Sequence, residues 1–291
     1  MPLVSIGLPV RNGAERIERV AKSVLSQDHD DIELVITDNA STDDTEVVCR
    51  ELAAADRRVS YHRHPRNLGI LGNFESAMAL GRGEFFRWVS DDDRIAPDCV
   101  SKSLAVFAED DRLILVTAQL SYSVDGGPEQ SAVYTGTALR SADPVERFTE
   151  MLRLLTDSHL LMDPLYGLFR RAAAAAIPRR NMLREDQIFA TKLALAGPWG
   201  HVPEVLGHRH WKDESASDMV PRLGVPAWTA HVATTMQCRE MLRWIDDDRA
   251  GLTQDQRRRA RAAVRAMWLR RQQELAARRA RKVSRLVSGR G

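Results

Sequence analysis

Short apolar runs and longer amphipathic segments alternate through the first 120 residues. The runs have the length of buried strands, while the longer segments repeat apolar residues every three or four positions, as helices do. Taken in chain order, strand and helix in turn, the predicted elements span 3–9, 16–25, 32–37, 45–55, 59–62, 73–80, 84–89, 97–108 and 113–117. This alternation with short turns predicts an α/β fold, in which helices cover a Rossmann-like, mostly parallel sheet.

The pattern is less regular beyond residue 118. It predicts a hairpin around 125–128, helices over 144–155 and 185–196, and strands over 165–170 and 202–211. Residues 256–285 contain neither Pro nor Gly, which favours one long helix. We therefore divide the chain into a sheet domain, 1–225, with halves 1–118 and 119–225, and a basic, helical C-terminal extension, 226–291.

Composition restricts the class of protein. Of 291 residues, 44% are hydrophobic, which is ordinary for a chain that buries a core. The longest apolar runs are too short for a transmembrane helix. A basic segment is missing ahead of the first strand and the three cysteines are scattered. We therefore expect a cytoplasmic protein with reduced thiols and no signal peptide.

Charge is distributed unevenly along the chain. The formal net charge is +2, yet residues 251–291 carry 13 Lys or Arg against two Asp or Glu, which leaves an acidic body. The basic segment can pack on that body, or it can lie on an anionic membrane as a peripheral contact at the inner membrane face. Nucleic-acid binding is disfavoured, because no recognition motif accompanies the charge. The oligomeric state stays open.

Three adjacent carboxylates, Asp91, Asp92 and Asp93, follow the apolar strand at 84–89. An isolated acidic triplet is usually a solvated turn, but a divalent cation with its phosphates is the commonest chemical reason to hold such charges together. Open α/β sheets bind ligands at the carboxyl ends of their strands, where this triplet falls. Neither G-x-G-x-x-G nor a P-loop is present. A nucleotide bound here would therefore be held through carboxylates and a metal.

An ordered set of motifs resembles the inverting family 2 glycosyltransferases of the GT-A fold. The set consists of residues 4–12, 23–27, 35–45, 67–69, 83–86, 90–93 with Pro97, 184–187 and 208–210. The resemblance covers about residues 2–217. It implies a nucleotide-sugar donor, a divalent metal, Mn²⁺ or Mg²⁺, and direct transfer with inversion.

The resemblance also implies the metal ligands. The family pattern D-x-D-D before three residues and a Pro places Asp92 and Asp93 in its last two positions, with Ser90 in place of the first acid. His210 is the third candidate ligand, and His208, two residues earlier, is the alternative. Asp91 is expected beside the donor or free at the surface.

The donor and acceptor sides are assigned in the same way. Asp186 is the expected base, and the neighbouring charge of Glu185 would raise its pKa. The alternative for both acids is that they complement the dipole of their helix. The expected donor-binding residues are Pro9, Val10, Arg11, Glu15, Asp38, Arg66, Asp91 and Asp92.

The leading hypothesis is a metal-dependent inverting glycosyltransferase. It would move sugar from a nucleoside-diphosphate sugar, UDP preferred, to a hydroxyl of a glycan, a lipid-linked acceptor or a small natural product. A sugar nucleotidyltransferase is disfavoured, because it needs a glycine-rich basic loop where this chain has only Gly13. A non-catalytic nucleotide-sugar-binding protein is disfavoured by the presence of Asp92, Asp93 and Asp186.

Overall fold

The apolar runs form the strands of one mixed sheet. A computed structural model describes residues 1–157, 162–211 and 215–288. The strands are β1 (Val4–Val10), β2 (Ile32–Asp38), β3 (Val59–Arg63), β4 (Phe85–Trp88), β5 (Arg94–Ile95), β6 (Leu115–Val124), β7 (Glu129–Gln130), β8 (Leu168–Arg170) and β9 (Trp199–Trp211). The helices are α1 (Ala14–Leu25), α2 (Thr45–Ala55), α3 (Gly69–Leu80), α4 (Cys99–Glu109), α5 (Pro144–Asp157), α6 (Arg171–Ala175), α7 (Glu185–Ala196), α8 (Ala216–Leu223), α9 (Ala233–Asp246) and α10 (Gln254–Ser288).

Four neighbouring strands, β3-β2-β1-β4, run parallel. Every residue of β1 and β2 is buried, as expected for strands that helices cover on both faces. Val10 pairs with Asp38 at the last step of the β1–β2 ladder. The carboxyl ends of these strands therefore meet at one edge of the sheet, which is where α/β proteins bind ligands.

The other half of the sheet continues in the order β8-β6-β9-β5. β8 is antiparallel to β4 and β6, while β6 and β9 run parallel. β5 follows the Asp triplet and pairs antiparallel with β9, so that Arg94 lies opposite His208. This pairing brings the Asp triplet against the histidine segment, although more than a hundred residues separate the two along the chain.

Element order follows the sequence prediction, and α2 and α7 have the predicted bounds. Two strands differ. β6 extends to Val124, well beyond the predicted 117, because it pairs with β9 along its length and forms the predicted hairpin with β7. In the segment 165–170 only Leu168–Arg170 is strand, because Asp163 and Pro164 start a 3₁₀ turn ahead of it.

The C-terminal helices pack on the sheet domain. α9 and α10 contact α5 and α7, and their Trp244, Val264 and Met267 join one core with Phe148 and Phe189. The predicted boundary at residue 226 stays a prediction. Across the described ranges, helices that are both long enough and apolar enough to cross a membrane are absent.

Helix α7 is buried around most of its circumference and is held at its carboxyl end by a buried arginine. Arg147 of α5 donates from Nε to the Ala194 carbonyl at 2.7 Å and from Nη2 to the Leu195 carbonyl at 3.1 Å. Its third nitrogen donates to the Ser141 carbonyl at 2.7 Å. Burial lowers the pKa of Arg147 to about 10. The cation satisfies carbonyls that the end of α7 would otherwise leave unpaired.

Replacement of Arg147 by Met should lower the free energy of unfolding by about 3 kcal/mol, because two buried carbonyls and one half-buried carbonyl lose their donor. Urea denaturation measures the loss. Arg153→Met on the same helix is the control, since Arg153 forms exposed ion pairs with Glu150 and Asp157 and should cost less than about 1 kcal/mol. Equal losses in the two variants would contradict the capping role.

Candidate active site

The Asp triplet forms a tight turn in which each carboxylate has a different environment. The Asp93 amide donates to the Ser90 carbonyl at 3.3 Å. Asp91 points back to the loop between β1 and α1, where its carboxylate accepts from Arg16 at 2.5 Å. A side chain at Gly13 would meet Asp91 Oδ2 at 2.8 Å, so glycine permits this approach. Burial raises the pKa of Asp91, and Arg16 opposes that rise.

Asp93 is buried, with 3% of its surface exposed. Its carboxylate accepts from Arg209 Nε at 3.0 Å and from the backbone amide of His210 at 3.3 Å. Burial raises the pKa of Asp93, and the charge of Arg209 opposes that rise. Because both carboxylate oxygens accept hydrogen bonds from β9, Asp93 links the turn to that strand. Metal ligation by Asp93 stays a prediction.

Arg209 is also bonded to a half-buried acid, Asp163, and its guanidinium lies 3.7 Å from the centre of the Tyr166 ring. These partners raise the pKa of Arg209 well above its ordinary value, although burial opposes the rise. Asp163 also accepts from the Leu165 amide at 3.2 Å, at the start of the 3₁₀ turn. Sequence reasoning missed Asp163. Its position before Pro164, typical of a capping residue, was the available signal.

Asp92 is the member of the triplet whose carboxylate makes no hydrogen bond or ion pair with the described residues. Its backbone carbonyl accepts from Arg19 at 3.3 Å. The side chain lines a cavity of about 230 Å³, together with His208, Arg209 and His210. We call this space the Asp92 cavity.

The two candidate histidines differ in availability. Nδ1 of His208 lies 2.6 Å from Ser121 Oγ and 3.0 Å from Glu129 Oε2, so that nitrogen is engaged. The imidazole of His210 is exposed, and its backbone amide holds Asp93. Within the described ranges no group of three His, Cys, Asp or Glu side chains is arranged to hold a metal. Asp92 and His210 nevertheless supply the oxygen and nitrogen that Mn²⁺ or Mg²⁺ accepts when phosphates and water complete its shell.

Asp186 lies in the first turn of α7 and is exposed to solvent. The surrounding protein removes part of its hydration and raises its pKa, and the charge of Glu185 adds to the rise. Glu185 itself is paired with Arg179, at 2.5 and 2.6 Å. That guanidinium lies 4.5 Å from the centre of the Phe189 ring. The first turn of α7 is therefore held by the ion pair of Glu185 with Arg179 and by the packing of Arg179 on Phe189.

Apart from Glu15 in α1, the predicted donor residues lie at or just beyond the carboxyl ends of the parallel strands β1 to β4. Pro9 and Val10 are buried in β1, while Arg11, Glu15 and Arg66 are exposed. Asp38 is fully buried, and its carboxylate accepts from the Ser41 amide at 2.8 Å and from the Tyr61 hydroxyl at 2.7 Å. Contact between Asp38 and the nucleotide base stays a prediction, since the hydrogen bonds from Ser41 and Tyr61 would have to change.

The loop that follows β1 and the loop that follows β2 are joined to each other by hydrogen bonds. The side-chain oxygen of Asn12 accepts from the Thr42 backbone amide at 2.9 Å, and the backbone amide of Asn12 donates to Ser41 Oγ at 2.9 Å. Asn12 and Ala40 have positive φ angles, 54° and 56°. Such angles are costly for Ala and recur at ligand-binding loops.

The family model described as Glycosyl transferase family 2 matches residues 5–176, more than half of the chain. The chain belongs to this family. The family is one of glycosyl-transferring enzymes.

Curated relatives match over shorter segments. The GalNAc(5)-diNAcBac-PP-undecaprenol β-1,3-glucosyltransferase of Campylobacter jejuni is 31% identical over 102 residues, which are 35% of this chain and 33% of that protein. The chondroitin synthase of Pasteurella multocida is 34% identical over 127 residues, 43% of this chain and 13% of the synthase. The chain thus spans at most a third of these two relatives.

Solved structures identify the fold. Staphylococcus aureus TarS 1–349 superposes with a TM-score of 0.66 at 17% identity, covering 91% of this chain and 71% of that one. The mannosyltransferase PcManGT of Pyrobaculum calidifontis, solved with GDP-Man and Mn²⁺, has a TM-score of 0.54 at 17% identity, covering 92% and 86%. The predicted α/β, GT-A fold class is confirmed.

Replacement of Arg209 by Met should lower the free energy of unfolding by about 3 kcal/mol, because the buried Asp93 and the half-buried Asp163 would lose their cationic partner. Urea denaturation at neutral pH measures this loss, which should shrink as the pH falls and the carboxylates protonate. Arg16→Met is the control, because its pair with Asp91 is more exposed and should contribute less than about 1 kcal/mol. A comparable loss in both variants would contradict the central role of Arg209.

Proposed function

We propose that this glycosyltransferase moves sugar from a nucleoside-diphosphate sugar, UDP preferred, to an acceptor hydroxyl with inversion. The observation that carries the proposal is the carboxylate of Asp92, which lines its cavity and has no partner among the described residues, with Asp186 at the start of α7 on the acceptor side. TarS has been solved with UDP and UDP-GlcNAc, and PcManGT with GDP-Man. These complexes support a nucleotide-sugar donor, and two of the three contain uridine.

Asp92 and His210 would hold the Mn²⁺ or Mg²⁺ ion, which would neutralise the departing diphosphate. Mn²⁺ in the PcManGT complex supports this cofactor class. In this scheme Asp93 keeps its bonds to Arg209 and His210 and orients the turn that presents Asp92. His208 is assigned to the Ser121–Glu129 cluster and outside the ligand set.

Pro9, Val10, Arg11, Glu15, Asp38 and Arg66 line or border the proposed donor crevice, with Asp91 and Asp92 at its inner end. Asp186 accepts the proton of the acceptor hydroxyl as that oxygen attacks the anomeric carbon. One C–O bond forms, and the bond between sugar and diphosphate breaks on the opposite face. A raised pKa suits Asp186 to this role, since it makes the carboxylate a stronger base near neutral pH.

The acceptor classes are a glycan, a lipid-linked sugar or a small natural product, and the cytoplasm is the proposed location. The diphosphate-undecaprenol in the name of the Campylobacter relative supports the lipid-linked class. Arg259 and Arg261 pair with Asp143 and Asp246, which ties the first turns of α10 to the body. Farther along, Trp268, Leu269 and Leu275 are exposed among basic residues, and this surface is proposed to contact an anionic membrane.

Replacement of Asp186 by Asn should reduce transfer at least about 1,000-fold, because the amide cannot accept the proton. Donor binding should be retained, since Asp186 lies outside the donor crevice. The assay is release of nucleoside diphosphate from a nucleotide sugar with Mn²⁺ and with EDTA, and thermal shift measures donor binding. Asp246→Asn, an exposed substitution on α9, is the control. Normal turnover by the Asp186 variant would exclude this base, and turnover unaffected by EDTA would exclude the metal.

Replacement of Glu185 by Gln should move the acid limb of the kcat/KM profile to lower pH. Asp186 must be deprotonated to act, so activity falls as the pH drops through its raised pKa. Removing the charge of Glu185 lowers that pKa, and the Arg179 cation left behind lowers it further. A pH–rate profile of both proteins provides the measurement. A limb that stays in place, or moves to higher pH, would show that another group controls it.

A further inference from the structure

Two guanidinium groups meet beside the first turn of α7. Arg184 precedes this helix, and Arg271 belongs to α10. Both donate to the same oxygen, Gln237 Oε1, at 3.1 and 2.8 Å. Gln237 is fully buried, and its amide nitrogen donates to Gln187, the residue after Asp186, at 2.9 Å. Two positive charges are thus held together next to the proposed base.

These cations have neutral partners in the described part of the chain. Arg184 also donates to Thr234 Oγ1 at 2.8 Å, and Arg271 donates to the Leu155 carbonyl at 3.2 Å. Neither forms an ion pair with a carboxylate of a described residue. Burial lowers the pKa of both groups, and the charge of Arg184 lowers that of Arg271 further. The carboxylates of Asp186 and Glu274 oppose these shifts from a distance, but neither is close enough to form an ion pair with the two arginines. Like charges taken from water without a counter-ion are unfavourable, and proteins rarely keep them without a functional reason.

Two further features make the position of Arg184 unfavourable in the free protein. Thr234 lies in the first turn of α9, so the guanidinium faces the positive end of that helix dipole. The backbone of Arg184 has a φ of +62°, a left-handed conformation that is costly for a residue with a side chain. Local conflicts of this kind concentrate at ligand-binding sites. Both arginines are only half-buried, so a ligand can reach them.

We propose that Arg184 and Arg271 bind a phosphate-type anion of the acceptor substrate. This assignment rests on the proposed function, because Asp186 marks the acceptor side. The ligand would replace the missing carboxylate, and two guanidiniums with the end of α9 suit the oxygens of a phosphate, phosphodiester or diphosphate. The acceptor is then a phosphorylated molecule whose anion lies next to the attacking hydroxyl. A lipid-linked diphosphate and a soluble phosphorylated glycan share this chemistry.

The test measures binding of inorganic pyrophosphate to the full chain in EDTA, by calorimetry and by the rise in Tm. Arg271→Gln should bind at least about tenfold more weakly than the unaltered protein. Arg271→Lys and Arg184→Lys, which keep the charges, should lose less. Arg261→Gln is the matched control, since this arginine of the same helix is neutralised by Asp246. Equal affinity in Arg271→Gln and the unaltered protein would overturn the proposal.

A second arm locates the anion. Asp92→Asn removes a negative charge from the donor side and should leave the affinity for pyrophosphate unchanged, whereas tighter binding in that variant together with unchanged affinity in Arg271→Gln would place the anion on the donor side and overturn the assignment. Because no sugar transfer is needed, failure of the Asp186 test leaves this result intact. Phosphatidylcholine vesicles with and without a polyprenyl phosphate distinguish the source. If the protein is retained on vesicles only when they contain the phosphate lipid and only when Arg271 is present, the anion is a lipid headgroup. If the protein binds pyrophosphate but is not retained on these vesicles, the anion belongs to a soluble acceptor.

Discussion

The largely buried guanidinium of Arg209 connects the two sides of the active site. It bonds Asp93 in the turn after β4 and Asp163 ahead of β8, and it packs on the Tyr166 ring. Each partner comes from a different part of the chain. A buried ion pair contributes little net stability, because desolvation offsets the attraction, but loss of one member is costly. The network therefore acts mainly as a geometric constraint: the turn that carries Asp92 cannot shift without exposing or unpairing a buried charge.

Helix α7 adds a second constraint on the acceptor side. Arg147 satisfies the carbonyls at its carboxyl end, and Arg179 holds Glu185 at its amino end. Between these two contacts the helix is buried on nearly all sides. Asp186 consequently has little freedom to move along the helix axis. A base held in this way loses less entropy when the acceptor hydroxyl is brought into line with the donor.

The alternation of strands and helices was predictable from the sequence, because buried parallel strands and amphipathic helices have different periodicities. Clustering of the Asp triplet and His210 was also predictable, through strand ends and motif resemblance. The different environments of the three carboxylates in the triplet were not predictable. It depends on Arg16 and Arg209, and their contacts are set by how β5 pairs with β9 and how α1 lies against the turn. Asp163 was missed for the same reason, since its partner is 46 residues away.

The donor and acceptor sides differ in how charge is balanced. Around the Asp triplet, Asp91 and Asp93 have arginine partners and the remaining negative charge of Asp92 suits a cation. Beside Asp186, Arg184 and Arg271 share a neutral amide, so the remaining charge is positive and suits an anion. A metal ion bound with the diphosphate would balance the charge of Asp92 on the donor side. An anionic acceptor would balance the charges of Arg184 and Arg271 on the other side. Gln237 couples the second set to the base, because its amide reaches both arginines and the neighbour of Asp186. Binding of an acceptor anion would therefore lower the positive potential at Asp186 and raise its basicity when the substrate is in place.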